Sequence, residues 1–490
     1  MADNMQYDLL IQNVRLVRPN VDSVEESDIA VKDGKIRRIG PGIDADASAE
    51  VYDGQDRLAF PGVVDAHMHT GIYSPLQEDA ISESRAAAMG GVTTSLNYMR
   101  TGGYYLNKGG PYRNFFPEVL ALSKGRFHVD YAYHLAPMDR QHIEEIPDLI
   151  DEFGVTSFKI FMFYGGHGLH GRSSNQHKFL MIGEDERYDY AHFEFVMRGI
   201  QAALQKYPAK AHQISLSLHC ETAEIMAAYT RIVEEDGKLR GLPAYHAARP
   251  PHSEGLAIFI ASYLANETDL PNINLLHLSS RKALTAALQM AEVFPHINFR
   301  REVTIGHLML DIDAPTGNFA KVNPPIRPRD DVEFLWQNLL KGKLDWVCSD
   351  HACCRHELKL DAENPGDIWL AKSGFGGTEY LLSALVSEGH KRGLSYNRMA
   401  ELTSFNPARR FGLNQKGDLA EGLDADVVLV DPNVTWIVHA QESESRQGYT
   451  PFEGLELGAR VKTTFLRGRR IFDNGQVIGE PRGRYLRRPY

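Results

Sequence analysis

Eight short apolar segments, each followed by a longer helix-compatible stretch, fill the middle of this chain, and that alternation limits the fold more than any other feature. The apolar segments are residues 63–67, 92–98, 129–134, 157–163, 214–219, 273–278, 298–303 and 345–348. Stretches with helical spacing, such as 78–89, 193–204, 253–264 and 281–293, lie between them. Short runs that are apolar on both faces suit parallel strands covered by crossover helices, and eight such units predict a (β/α)8 barrel.

The two ends have a different texture. Residues 7–17 are rich in Leu, Ile and Val, and 28–31 and 35–39 flank Asp33-Gly34, a hairpin-type turn signal. Short β-branched or apolar runs return at 425–430, 461–466 and 468–472, followed by the turn signal Asn474-Gly475. The expectation is a small β-sandwich domain built from residues 1–60 and 415–490, around a barrel domain of residues 61–414. With 43% hydrophobic and 24% charged residues in 490, composition is that of a globular chain with an ample core.

Charge and cysteine content narrow the function classes. A net charge of -11 argues against nucleic acid or an anionic membrane surface as a general partner. The apolar stretch 256–265 is too short and mixed to span a bilayer, and the N-terminus has no basic region followed by an apolar one. Cys220, Cys348, Cys353 and Cys354 form no CxxC pair, and the adjacent Cys353 and Cys354 would make a strained disulfide. Reduced thiols in a cytoplasmic protein are expected.

Three stretches read as long loops: 102–116, 165–190 and 351–377. Each follows a predicted strand directly, which puts it on the barrel face where active sites form.

The chemistry gathers at strand ends. His67 and His69 in Asp65-Ala66-His67-Met68-His69 are two apart, so both side chains point to one side of a strand and can grip one metal. His219 ends LSLHCE, His277 lies in LLHLS and Asp350 in CSDHA. Imidazole and carboxylate suit zinc and related divalent metals. A structural histidine explains any one of these positions; it explains the whole set poorly. Lys159 sits in the apolar SFKIFMFY, where a lysine without a partner is costly. Either it snorkels or pairs with a carboxylate, or its amine reacts with carbon dioxide to give a carbamate, a short anionic bridge for two metal ions.

Taken in order, FPGVVDAHMH, FKIFMFY, LHCE, LLHLS, NPPIRP and CSDHA resemble the cyclic-amide-hydrolase branch of the amidohydrolase superfamily, the D-hydantoinases and dihydropyrimidinases above all, over essentially the whole chain. That resemblance implies roles. His67, His69 and Asp350 would hold the more buried of two divalent ions, zinc or alternatively manganese. His219 and His277 would hold the second, and carbamylated Lys159 (N6-carboxylysine) would bridge both. A hydroxide held between the ions would attack the amide carbon. Tyr164 would hydrogen-bond the developing oxyanion, and Asp350 would carry the water's proton to the leaving nitrogen. Asn323 and Ser373 fall where hydantoinases contact the substrate amide; Ser373 stands where they have Asn. The implied substrate is a cyclic ureide or imide, and the implied assembly a homotetramer or dimer.

Relatives fit less well. Thr70, Gly71 and Ile72 follow the histidine pair, where dihydroorotase-like enzymes place an arginine. Mononuclear deaminases need no lysine at position 159, and phosphotriesterase-like enzymes lack the β-rich ends. A linear amide or urea as substrate, or a non-enzymatic dihydropyrimidinase-like scaffold, are the alternatives, and scaffolds lose metal ligands that are intact here. The 165–190 loop, with His167, His170 and His177, is a solvated loop or a lid; Tyr104, Tyr105 and Tyr112 in 102–116 would form a second wall suited to a larger or more aromatic substrate.

Overall fold

The chain enters through four strands, β1 (Leu9–Val17), β2 (Val24–Lys32), β3 (Lys35–Gly40) and β4 (Val51–Pro61), in a computed structural model that describes residues 5–171 and 175–490. Residues 1–4, and residues 172–174 of the expected 165–190 loop, lie outside the described residues. Asp33 and Gly34 join β2 to β3 with φ of 53° and 73°, the paired left-handed geometry of the tight hairpin turn that this dipeptide favours.

The barrel follows: β5 (Val63–Met68), β6 (Val92–Met99), β7 (Asp130–Leu135), β8 (Ser157–Phe161), β9 (Ser215–His219), β10 (Asn272–Leu275), β11 (Asn298–Thr304) and β12 (Trp346–Cys348). These strands pair in sequence order and in parallel. The two ends meet where Met68 bridges His351 in parallel and the His69 N–H donates to the His351 carbonyl at 2.7 Å. Helices between the strands, among them Leu76–Met89, Tyr190–Lys206 and Arg281–Val293, turn apolar faces onto the strands.

After the barrel come β13 (Val427–Asp431), the short ladder β14 (Trp436–Ile437) with β15 (Glu456–Leu457), then β16 (Arg460–Leu466), β17 (Arg469–Asp473) and β18 (Gln476–Val477). The ends of the chain share one sheet, ordered β18-β17-β16-β13-β4-β1-β2-β3, in which only β1 and β4 run parallel. It curls over, so that the Ile36 N–H reaches the Leu423 carbonyl at 3.0 Å and the Ala425 N–H reaches Gly34 at 2.9 Å. Ile11, Ile29, Ile36, Val427, Leu429 and Phe465 fill the space enclosed, as a sandwich requires.

Two ties hold the terminal sheet to the barrel. Buried Lys416 donates to Asp130 of β7 and to Asp426 beside β13, both at 2.7 Å, with Asp424 at 3.0 Å. The last residues return to the barrel floor: the Leu486 N–H donates to Tyr131 at 2.8 Å, and the buried Arg488 guanidinium donates to Ser157 Oγ at 2.6 Å.

Three expectations change. The strands expected to reach residues 163 and 278 stop at Phe161 and Leu275, because the chain turns sharply after each. The expected loop 102–116 already holds the start of the helix Tyr112–Ser123, whose first free N–H groups, on Tyr112 and Arg113, donate to the Glu145 carboxylate at 2.8 and 3.0 Å. The described part of 165–190 is solvated only in part: residues 183–185 are exposed, whereas His167 is buried and Gln176–Leu180 is helical. Among the described residues, no helix is long and apolar enough to cross a membrane. The four cysteines are buried free thiols, as their spacing led us to expect.

Candidate metal-binding active site

At the strand ends of the barrel, His67 and His69 project from one edge of β5 and its exit, as a two-residue spacing dictates. Their Nε2 atoms are 3.2 Å apart, and Asp350 Oδ1 lies 3.1 and 3.2 Å from them. Asp350 has a left-handed backbone, φ 54°, which swings its carboxylate from the end of β12 into the barrel mouth. His277 is left-handed too, φ 34°, just past β10. Its ring centroid stands 4.2 Å from that of His219 and 5.4 Å from that of His67.

Lys159 on β8 is buried, with Nζ 3.1 Å from His67 Nε2 and over the faces of Tyr98 and Phe161 at 4.0 and 4.2 Å. It neither snorkels nor forms an ion pair among the described residues. Burial pulls its amine down to about 7, so a large share is neutral near physiological pH. Burial likewise holds His67 and His277 far below the ordinary histidine value and His219 down to about 4, which keeps all three imidazoles in the neutral, metal-ligating form.

The surrounding residues orient this set, and several were not anticipated from sequence. Glu302 on β11 accepts from His67 Nδ1 at 2.8 Å, from the His277 N–H at 3.0 Å and from Trp346 Nε1 at 2.8 Å. Glu221, two residues after His219, accepts from His219 Nε2 at 2.7 Å and is itself gripped by Arg249. Burial alone would raise the Glu221 carboxyl, but the charge and hydrogen bonds of Arg249 together with His219 outweigh it and hold the group ionised. That arrangement leaves His219 Nδ1 as the nitrogen free to meet a cation. Tyr105, from the 102–116 segment, hydrogen-bonds His69 Nδ1 at 2.6 Å. Each fixes an imidazole tautomer, as carboxylates and hydroxyls do around bound metals. The signal for Glu302 and Glu221 was a carboxylate inside or beside an apolar strand.

The donor set fits divalent cations. His67, His69 and Asp350 offer ligand atoms within 4.8 Å of one another, and both ring nitrogens of buried His277 have no hydrogen-bond partner among the described residues. Leaving such groups unsatisfied is costly without a further partner.

A small cavity opens over this set. Lys159, His69, His219, His277, Asp350, Tyr164, Asn323 and Ser373 all line it. Tyr164 is buried, with the Arg100 guanidinium 5.0 Å from its ring; burial raises its phenol while the Arg100 charge pulls it back. Asn323 accepts from Tyr245 at 2.5 Å and donates to the Leu169 carbonyl at 2.7 Å. The Ser373 N–H donates to His170 Nδ1 at 3.0 Å, and its carbonyl accepts from Tyr73. Leu169 and His170, from the segment after β8, thus occupy the groups facing the cavity.

The Amidohydrolase family model matches residues 181–471. The allantoinase of Rubrobacter xylanophilus is 32% identical over 98% of both chains. The D-hydantoinase of Geobacillus stearothermophilus is 29% identical over 98% of this chain and 96% of its own. Among solved structures, the dihydropyrimidinase of Brevibacillus agri superimposes with a TM-score of 0.82 at 26% identity, covering 98% of each chain. With a barrel of this topology, a matching family model and end-to-end likeness to an allantoinase, the chain belongs to the amidohydrolase family.

Proposed function

We propose that this protein is a two-metal hydrolase that opens a cyclic ureide or imide at its amide bond. The observation that supports this most is the convergence of His67, His69, Asp350 and Lys159 on one point, beside the His219–His277 pair and at the base of a cavity that Tyr164, Asn323 and Ser373 also line. The relatives named above act, by name, on allantoin, hydantoin and dihydropyrimidine, which share a ring amide next to a urea nitrogen.

In this reading, His67, His69 and Asp350 would hold one cation and His219 and His277 the other, zinc or manganese. Lys159, as a carbamate formed when its neutral amine adds to carbon dioxide with release of one proton, would serve as their common ligand. Bound there, such a cation pair supplies an acidified water and a Lewis acid for the amide carbonyl. Tyr164 donates a hydrogen bond to the developing oxyanion. Asp350 accepts the water's proton and passes it to the leaving ring nitrogen. Asn323 and Ser373 bind the substrate amide by exchanging their bonds to Leu169 and His170.

The same proposal divides the chain into a terminal β-domain of residues 1–60 and 415–490 and a catalytic barrel of residues 61–414. A homotetramer or dimer is supported by Leu256, Phe259 and Tyr263, which leave 42%, 39% and 57% of their surface exposed on one face of the helix Pro251–Glu267. Buried free thiols support a reducing, cytoplasmic setting.

The test is a hydrolysis screen of zinc- or manganese-loaded protein against allantoin, hydantoins, dihydropyrimidines, cyclic imides and linear aryl-ureas. Ring opening of at least one cyclic substrate is expected. Turnover of linear amides or ureas alone would replace the cyclic reading, and no turnover with full metal occupancy would favour the scaffold.

A further inference from the structure

Arg100 follows directly after β6 and is 2% exposed. Its Nη1 donates to the Thr101 carbonyl at 2.7 Å, whereas Nε and Nη2, both buried, have no hydrogen-bond partner of normal geometry among the described residues. It forms no ion pair among them either. Three aromatic rings surround the guanidinium: Phe179 at 4.9 Å, Tyr164 at 5.0 Å and Tyr105 at 5.6 Å. Tyr105 and Tyr164 line the cavity, and Arg100 stands behind both. The chain runs close beside it: a Cβ on Gly102 would collide with the Phe179 carbonyl and come within 2.8 Å of Nη1.

A buried cation with no anion is expensive, and cation–π contacts repay only part of that cost. Such a charge is tolerated where the reaction itself develops negative charge nearby, because the site then meets the transition state with no reorganisation. We propose that Arg100 is a positioning residue for the hydrolysis: from behind, it fixes the Tyr164 ring against the cavity and holds a positive charge beside that phenol, acting through Tyr164 without touching substrate. This rests on Tyr164 being the oxyanion donor. The charge also works against the effect of burial on that phenol. A plain packing brace would need the rings but not the charge.

Four variants, R100M, R100K, Y164F and R100M/Y164F, separate these readings. Each is assayed on whichever of allantoin, hydantoin and dihydrouracil the wild-type enzyme opens fastest, with metal content and melting temperature measured in parallel. R100M is expected to lose roughly 10- to 100-fold in kcat, with KM within about threefold and metal content unchanged. R100K is expected to recover to within about fivefold of wild type, because it keeps the charge. The double variant should be within about twofold of Y164F alone, since the two residues act as a unit. Equal losses in R100K and R100M, or a double variant that loses the product of the single effects, would overturn the proposal. So would wild-type kcat in R100M beside an impaired Y164F. An unimpaired Y164F would instead remove the Tyr164 assignment, and this inference with it. Should R100M not fold, R100Q compared with R100K gives the same contrast.

Discussion

Nζ of Lys159 lies 3.1 Å from Nε2 of His67, and no carboxylate among the described residues is within ion-pairing distance of that nitrogen. An amine held this way, with its charged form disfavoured by burial, is poised to act as a nucleophile towards carbon dioxide rather than as a structural cation.

Replacing it tests the bridge directly. Lys159→Ala is expected to remove the second metal and to lower kcat by about a thousandfold, equivalent to about 4 kcal/mol of barrier. Elemental analysis alongside steady-state kinetics checks this; full metal content with full activity would exclude the bridging role. Bicarbonate should speed reconstitution of the metal-stripped wild type and leave the variant indifferent.

Stripping the metals should also loosen the fold. Both ring nitrogens of His277 lack hydrogen-bond partners among the described residues, so an ion taken up by one of them would favour the native state. Chelation is expected to lower the melting temperature, and zinc at about a hundredfold over its Kd to restore about 2.7 kcal/mol of stability. Differential scanning calorimetry reads this out, and a melting temperature insensitive to chelator and to added metal would refute it.

Glu302→Gln keeps the shape of a side chain that orients both His67 and the backbone of His277 but removes its charge. Metal affinity should fall roughly 10- to 100-fold, measured by competition with a chromophoric chelator. An unchanged affinity would mean that Trp346 and the backbone hold the site without it.

Away from the site, Lys416→Met leaves Asp130, Asp424 and Asp426 facing each other with their shared buried cation gone. The expected loss is about 3–5 kcal/mol by denaturant unfolding. The sign of the pH dependence follows from the same contacts. Burial would raise Asp424, but Lys416 and Lys35 bring it below its ordinary 3.8, so its stabilising contribution is present above about pH 4 and lost as pH falls through the lowered value. Burial would lower Lys416, but the three carboxylates raise it above 10.5, so its contribution holds throughout the neutral range and fades only at more alkaline pH. The wild type should therefore lose stability steeply on the acid side, and the variant less steeply.

The barrel was legible because its strands are short apolar runs at regular intervals, and the hairpin turns because Asp33-Gly34 and Asn474-Gly475 take the paired positive φ their residue types favour. The histidine and aspartate candidates were legible because each stands at or just past a strand end, and Lys159 because it is a lone charge inside an apolar strand. What escaped was tertiary. His277 lies outside a strand only because its backbone turns left-handed, which no local pattern announces. Glu302 and Arg100 read as ordinary charges until the fold buries them. The helix beginning at Tyr112 is capped by Glu145, from a distant segment, so nothing beside it in the chain marked its start.

The final strand-like stretch, from Tyr485 to Arg488, seals the barrel floor against Tyr131 and Ser157. The barrel is therefore stoppered by a segment remote in sequence, and cutting that stretch away should expose its interior from the side opposite the cavity.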